Sequence, residues 1–125
     1  MEITLISTAS YPSDQGIRTI SSVLKKANHR VNMVFMVLGE DYSRNYTREE
    51  LFQLAKICSK SQLIGISSYA STSYRAARII TFLKKRFKIP IVYGGVHATI
   101  SPEDCLKYSD IVCVGEGEET IIELV

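Results

Sequence analysis

The chain has no tryptophan, three prolines, seven glycines and three cysteines in 125 residues. Each scarcity excludes something. Cys58, Cys105 and Cys113 are odd in number, far apart and never in C-x-x-C spacing. That argues against a disulfide framework or a zinc site and for reduced cysteines used as small apolar residues. No apolar run approaches the roughly 18 residues of a membrane span, and no basic, apolar and small-residue sequence opens the chain. The expectation is a cytoplasmic protein with no membrane association. Charge of one sign is also missing: a formal net charge of +2, with both signs mixed along the chain, gives no field suited to nucleic acid. The one basic cluster, Lys84, Lys85, Arg86 and Lys88, falls at the end of an expected helix, where cations complement the dipole and stay solvated.

Several catalytic signatures are absent as well. There is no G-x-G-x-x-G, no P-loop and no G-x-S-x-G elbow. A phosphoryl-accepting receiver needs an aspartate ending its third strand, where this chain has Ser67, Ser68 and Tyr69. His97 has no carboxylate or second histidine beside it in sequence and reads as a hydrogen-bonding loop residue. His29 reads as a solvated helix-end residue. Glu116 and Glu118 flank Gly117 at a helix start, where carboxylates suit the dipole.

What is present is a regular alternation of apolar strands and amphipathic helices. Glu2 to Ser7, Val31 to Leu38, Gln62 to Tyr69, the run from Ile91 and Asp110 to Val114 read as strands. Val31 to Leu38 is nearly continuous in apolar character and asks for cover on both sides. Helices are expected after Asp14, after Thr47 with Glu49 and Glu50 in its first turn, from a Ser73 cap with Ala76, Ala77, Ile80, Leu83 and Phe87 inward, over Ser101 to Tyr108, and from Glu118. Five strand-helix units with short connections and 46% hydrophobic residues predict one α/β domain over 1–125. It should be a doubly wound, five-stranded parallel sheet, flavodoxin-like in the order 2-1-3-4-5, in three layers. The apolar run I-I-E-L-V closing the chain has no terminator, which suggests the front part of a longer protein.

In this fold the strand-to-helix loops gather along one edge, and ligands bind there. Gly94 and Gly95 together offer bare backbone against which something flat and wide can press. Ser67 and Ser68 offer small hydroxyls at the end of the central strand. The reading requires an uncharged slot beside strands three and four, open and not crossed by the first loop.

G-G-V-H-A-T-I-S-P-E at Gly94 to Glu103 and D-I-V-C-V-G-E-G-E-E-T at Asp110 to Thr120, with I-G-I-S at Ile64 to Ser67, resemble the amino-terminal cobalamin-binding domain of radical S-adenosylmethionine enzymes. The resemblance spans essentially the whole chain. It implies a cobalamin, and hence cobalt, held across the carboxyl edge, with the nucleotide tail beside strands three and four. Ser67 and Ser68 would then contact the tail, with Gly94 and Gly95 flanking it. Tyr69, His97, Gly115 and Glu116 complete the implied cofactor-binding set, with no catalytic or metal-ligating residue.

It further implies a following barrel with a 4Fe-4S cluster and S-adenosylmethionine, working as a methyltransferase or in a related radical reaction. This chain contains no C-x-x-x-C-x-x-C motif, so that chemistry is not its own. Cobalamin domains of mutases carry D-x-H-x-x-G after the first strand, the histidine ligating cobalt from below. Here that region reads T-A-S-Y-P-S-D-Q-G, which implies base-off cobalamin with no histidine ligand. Two other functions fit the same fold: a cofactor-free scaffold packing on the radical barrel to shape its substrate site, and, more distantly, a free-standing flavin binder.

Overall fold

The strands Glu2–Ser7, Leu63–Ser67 and Ile91–Gly94 are too apolar to face water on either side, so the helices that connect the strands must cover both faces of the sheet. A computed structural model, which describes residues 1–12, 14–115 and 117–125, shows this arrangement. Strands β1 (Glu2–Ser7), β2 (Arg30–Phe35), β3 (Leu63–Ser67), β4 (Ile91–Gly94) and β5 (Ile111–Val112) pair in parallel in the order β2-β1-β3-β4-β5. The helices are α1 (Gln15–Lys26), α2 (Arg48–Cys58), α3 (Ser73–Arg86), α4 (Val96–Ile100), α5 (Pro102–Leu106) and α6 (Glu118–Leu124). The flavodoxin-like order expected from the sequence is the one found. Among the described residues no helix is long and apolar enough to cross a membrane.

Strand order reverses between β1 and β3, which sends α1 and α6 to one face and α2 and α3 to the other. The two-residue period of each strand then splits the core in two. Ile6, Ile64, Ile66, Ile91 and Tyr93 pack with Leu51, Leu54, Ile79, Ile80 and Leu83 on the α2/α3 face. Ile3, Leu5, Leu63 and Val92 pack with Ile17, Leu24 and Ile121 on the α1/α6 face.

Local signals fix the helix ends. Asp14 caps α1, accepting from the Ile17 N–H at 3.1 Å, and Asn28 closes it in a left-handed conformation, φ 68°. Thr47 and Glu50 form a reciprocal capping box on α2, at 3.2 and 2.8 Å. The three cysteines are free and buried.

Four expectations are corrected. β2 ends at Phe35, and Val31 and residues 33–36 are only half-buried, because an edge strand has a neighbour on one side alone. The segment after β4 is no loop followed by one helix but two short helices, broken at Ser101. Gly95, at φ 93°, turns the chain straight from strand into α4. Ser73 is the first residue of α3 rather than its cap, because a 3-10 turn at Ala70–Thr72 runs into the helix. On α3 it is Arg75, fully buried, that joins Ala76, Ile79, Ile80 and Leu83, while Ala77 is only half-buried; Phe87, half-buried, packs against this core as expected.

Arg75 sits under the β2–α2 loop. Its Nε donates to Arg44 O at 3.2 Å, Nη1 to Gly39 O at 3.2 Å and Nη2 to Asp41 O at 2.8 Å, with the Tyr42 and Tyr74 rings against the guanidinium. Three carbonyl dipoles and two ring faces take the place of a counter-ion. The basic cluster behaves as expected: Lys84, Lys85, Arg86 and Lys88 are exposed, with Lys84 paired to Asp110 at 2.6 Å.

Candidate functional site

On the α1/α6 face the strand side chains shrink toward the carboxyl edge. β1 runs Ile3, Leu5, Ser7; β3 runs Leu63, Gly65, Ser67; β4 runs Val92, Gly94; and after β5 comes Cys113. These small positions are in register, Ser7 beside Ser67 and Ser67 beside Gly94. Helices that stay full-sized over a sheet that thins must leave a gap. The gap is a cleft of about 590 Å³ between the sheet and α1/α6, bordered on its other side by α4. Its walls are Leu5, Ile17, Ile20, Val92 and Ile121, and its bare backbone is Gly65, Gly94 and Gly95.

The glycines differ in what they serve. A Cβ at Gly65 would come within 2.8 Å of Leu5 Cδ2, at the end of a side chain that can move, while Gly95 is required by its φ of 93° and by Ser67 Cβ at 3.1 Å. Gly94 is another matter. Its φ is not positive, and a Cβ there would meet nothing closer than Cys113 Cβ at 3.9 Å. No described atom approaches that position more closely, and it opens onto the cleft.

Asp14 organises the mouth. Its Oδ2 accepts from Ser7 Oγ at 2.8 Å and Ser67 Oγ at 2.9 Å while Oδ1 caps α1. One carboxylate thus ties two strand ends to the helix that forms the opposite wall. Of the described residues of the first loop only Asp14 reaches the slot, at its mouth; Thr8 is latched at the strand end, its N–H and hydroxyl both donating to Ser67 O at 3.2 and 3.0 Å. Across the cleft Thr99 Oγ1 donates to Gly95 O at 3.1 Å and accepts from the Gly115 N–H at 2.9 Å, which holds the left-handed Gly115, φ 81°, against α4.

Of the site residues expected from sequence, Ser67, Gly94, Gly95 and Gly115 meet at this cleft. Ser68, Tyr69 and His97 do not line it. Successive strand residues point to opposite faces, so Ser68 turns to the α2/α3 side, where its hydroxyl pairs with the Tyr93 hydroxyl. Burial pushes the Tyr93 phenol well above its ordinary value, although the Ser68 bond pulls the other way. Tyr69 is exposed beyond the strand end, its N–H donating to Thr72 Oγ1.

His97 was expected to lack a carboxylate, but the turn at Ser101 brings Asp104 back to it. Nε2 and Asp104 Oδ2 lie 2.8 Å apart, pinning α4 to α5, with the His97 ring buried on the side away from the cleft. Beneath it the Cys105 thiol is pushed up to about 11 by burial first and the Asp104 charge second. Glu116 lies outside the described residues. His29 is not solvated as expected: it is half-buried in the α1–β2 turn, with Nδ1 enclosed and unpartnered.

Sequence reasoning missed Gly65 and Cys113 as lining residues and the tying role of Asp14; Gly16 and Thr99 lie in strand-to-helix stretches expected at this edge but were not singled out. The signal was there in the strands: large to small at every second position on β1, β3 and β4. Among the described residues no group of His, Cys, Asp and Glu could hold a metal ion by itself. The site is therefore a preformed slot, apolar in its depth, that can enclose a ring system; it is not uncharged as expected, because the Asp14 and Glu118 carboxylates join the Ser67 and Thr99 hydroxyls around it.

A protein-family model described as the B12 binding domain matches residues 1–125. No curated protein matches the chain.

Proposed function

The chain belongs to the B12 binding domain family, and from that premise we propose that it holds cobalamin base-off, with the nucleotide tail in the α1/α6 cleft and no histidine beneath cobalt. The observation that carries this reading is the room left over Gly94. Gly94 ends β4 at the carboxyl edge, where ligands bind in this fold, and its missing side chain leaves the backbone open to the cleft. Gly65, Ser67 and Gly95 extend the same bare strip across two strands.

When bound, the corrinoid supplies methyl-transfer chemistry. The residues of this chain do the holding. The walls formed by Leu5, Ile17, Ile20, Val92 and Ile121 keep water out of the slot, and Asp14 fixes its width by binding both strand ends and the first turn of α1. Neither histidine is placed to rise from the mouth. His29 follows α1 at the far end of the sheet, and His97 is engaged by Asp104. These placements support the histidine-free state.

The proposed setting is the front domain of a radical S-adenosylmethionine enzyme, with the radical barrel following in the same protein. Support comes from the two family-like segments. G-G-V-H-A-T-I-S-P-E builds the β4 end and α4, and D-I-V-C-V-G-E-G-E-E-T runs from β5 to α6, so together they frame two sides of the cleft.

Titration of the purified protein with hydroxocobalamin tests the binding. A shift in the visible spectrum and corrinoid retained through gel filtration are expected. No shift and no retention would leave the cofactor-free scaffold. In the reduced cobalt(II) form, electron paramagnetic resonance should lack axial nitrogen splitting, and its presence would overturn the histidine-free, base-off part. A C-x-x-x-C-x-x-C motif encoded after Val125 is the check on the radical partner.

A further inference from the structure

Resting on the reading that the nucleotide tail enters this cleft, we infer that the cleft selects among corrinoids by their lower base, taking an apolar base such as dimethylbenzimidazole and disfavouring a purine such as adenine. The tail's position follows from the family; the choice of base follows from these particular walls.

The deep part of the cleft is Leu5, Ile17, Ile20, Val92 and Ile121 with the bare Gly65 backbone. The hydroxyl protons at its rim are already committed. Asp14 Oδ2 accepts from Ser7 and Ser67, Oδ1 accepts from Ile17 N–H, and the Ser67 proton is given to Asp14. Thr99 gives its proton to Gly95 O and receives the Gly115 N–H. Glu118, the first residue of α6, is half-exposed at the mouth, within reach of water.

Ser21, one turn along α1 beyond Ile17, is buried with its hydroxyl unpartnered, but it is not among the lining residues. A dimethylbenzimidazole presents two methyl groups and a hydrocarbon ring edge, which such walls favour. Adenine presents an exocyclic amine and ring nitrogens. Water satisfies these outside, whereas the described lining hydroxyls have no proton left to donate to the ring nitrogens, which penalises entry.

The test is equilibrium binding of four corrinoids to the purified protein: cobalamin, cresolylcobamide, adeninylcobamide and tail-less cobinamide, each read by its visible spectrum and by calorimetry. Adeninylcobamide should bind at least about tenfold more weakly than cobalamin, which is about 1.4 kcal/mol. Cresolylcobamide, whose base cannot coordinate cobalt and so need not be detached, should bind at least as tightly as cobalamin. That arm separates wall chemistry from cobalt ligation.

Equal binding of adeninylcobamide and cobalamin would overturn the selection while leaving cobalamin binding intact. An adenine preference that disappears in Ser21→Ala would also overturn it, by showing that the buried hydroxyl reads the base. Cobinamide binding as tightly as cobalamin would overturn the tail's placement. Failure of all four to bind would overturn the proposed function itself.

Discussion

The two faces of the sheet share the same strands and end differently. Toward α2 and α3 the side chains stay large up to the carboxyl edge, with Ile6, Ile66 and Tyr93 packed against Ala76, Ile80 and Ala98. Toward α1 and α6 they fall away, from Ile3, Leu63 and Val92 to Ser7, Ser67 and Gly94. Since adjacent residues of one strand serve opposite faces, a single strand can close one side and open the other. The difference teaches that stability and binding are allotted to opposite sides of one sheet. Mutations should therefore separate them.

The largest effect is expected on the closed face. Ile80→Ala, at a side chain with no exposed surface, should lower unfolding free energy by about 3 kcal/mol in urea titrations. Ile20→Ala, half-buried on the cleft wall, should lose only about 1 kcal/mol. Equal losses would mean that the two faces are packed alike.

On the open face Gly94→Val should weaken corrinoid binding by about a hundredfold, roughly 2.7 kcal/mol, yet leave the thermal midpoint within a few degrees, since a Cβ there meets no described atom closer than 3.9 Å and the methyls can turn into the cleft. Unimpaired binding in a folded variant would remove the cleft from the site.

Ser67 and Ser68 sharpen the contrast because they are neighbours with opposite duties. Ser68→Ala strands the buried Tyr93 hydroxyl and should cost about 1–2 kcal/mol of stability with corrinoid affinity unchanged. Adding Tyr93→Phe to it should recover part of that loss, as expected when both partners of a buried bond are removed together. A fall in affinity in Ser68→Ala would place that residue back in the site.

The smallest effect concerns Asp110 at the sheet's other end. The Lys84 ammonium at 2.6 Å, and then the Ile91 N–H at 2.9 Å, hold its carboxyl below the ordinary carboxylate range. A folded-state pKa below the unfolded one gives stability that is present above the unfolded value and lost as pH falls through the folded one. The pair is largely exposed, so screening limits it to about 0.5 kcal/mol. Asp110→Asn should therefore be slightly less stable than the native chain at neutral pH, with thermal midpoints converging in acid. A gap that widens on acidification would reverse the sign.

Much of the fold was legible because its signals are local. Strand β1 has the expected bounds, Asp14 and Thr47 cap as their positions suggest, and the alternation of elements leaves few topologies. The site was legible only in part. Ser67, Gly94, Gly95 and Gly115 could be found because a glycine or hydroxyl at a strand end signals its edge. Ser68 and Tyr69 could not be separated from Ser67 without knowing where β3 stops, since one residue of register exchanges the faces. His97 looked solitary because its partner, Asp104, is brought to it by the break at Ser101. Arg75 was not among the expected inward residues of α3, because the backbone carbonyls that hold its guanidinium lie some thirty residues away in sequence.

By itself the sequence determined the order of elements, the helix caps and the graded size of the strand residues, all of which act between residues a few positions apart. Only the tertiary structure decided that the small residues of three strands fall in register on one face, that α1 and α6 lie together over them, and that Asp14 spans the mouth. Those are contacts between segments some fifty or more residues apart, as from Asp14 to Ser67. They depend on which strands pair and which side each crossover takes, and no local pattern carries that information.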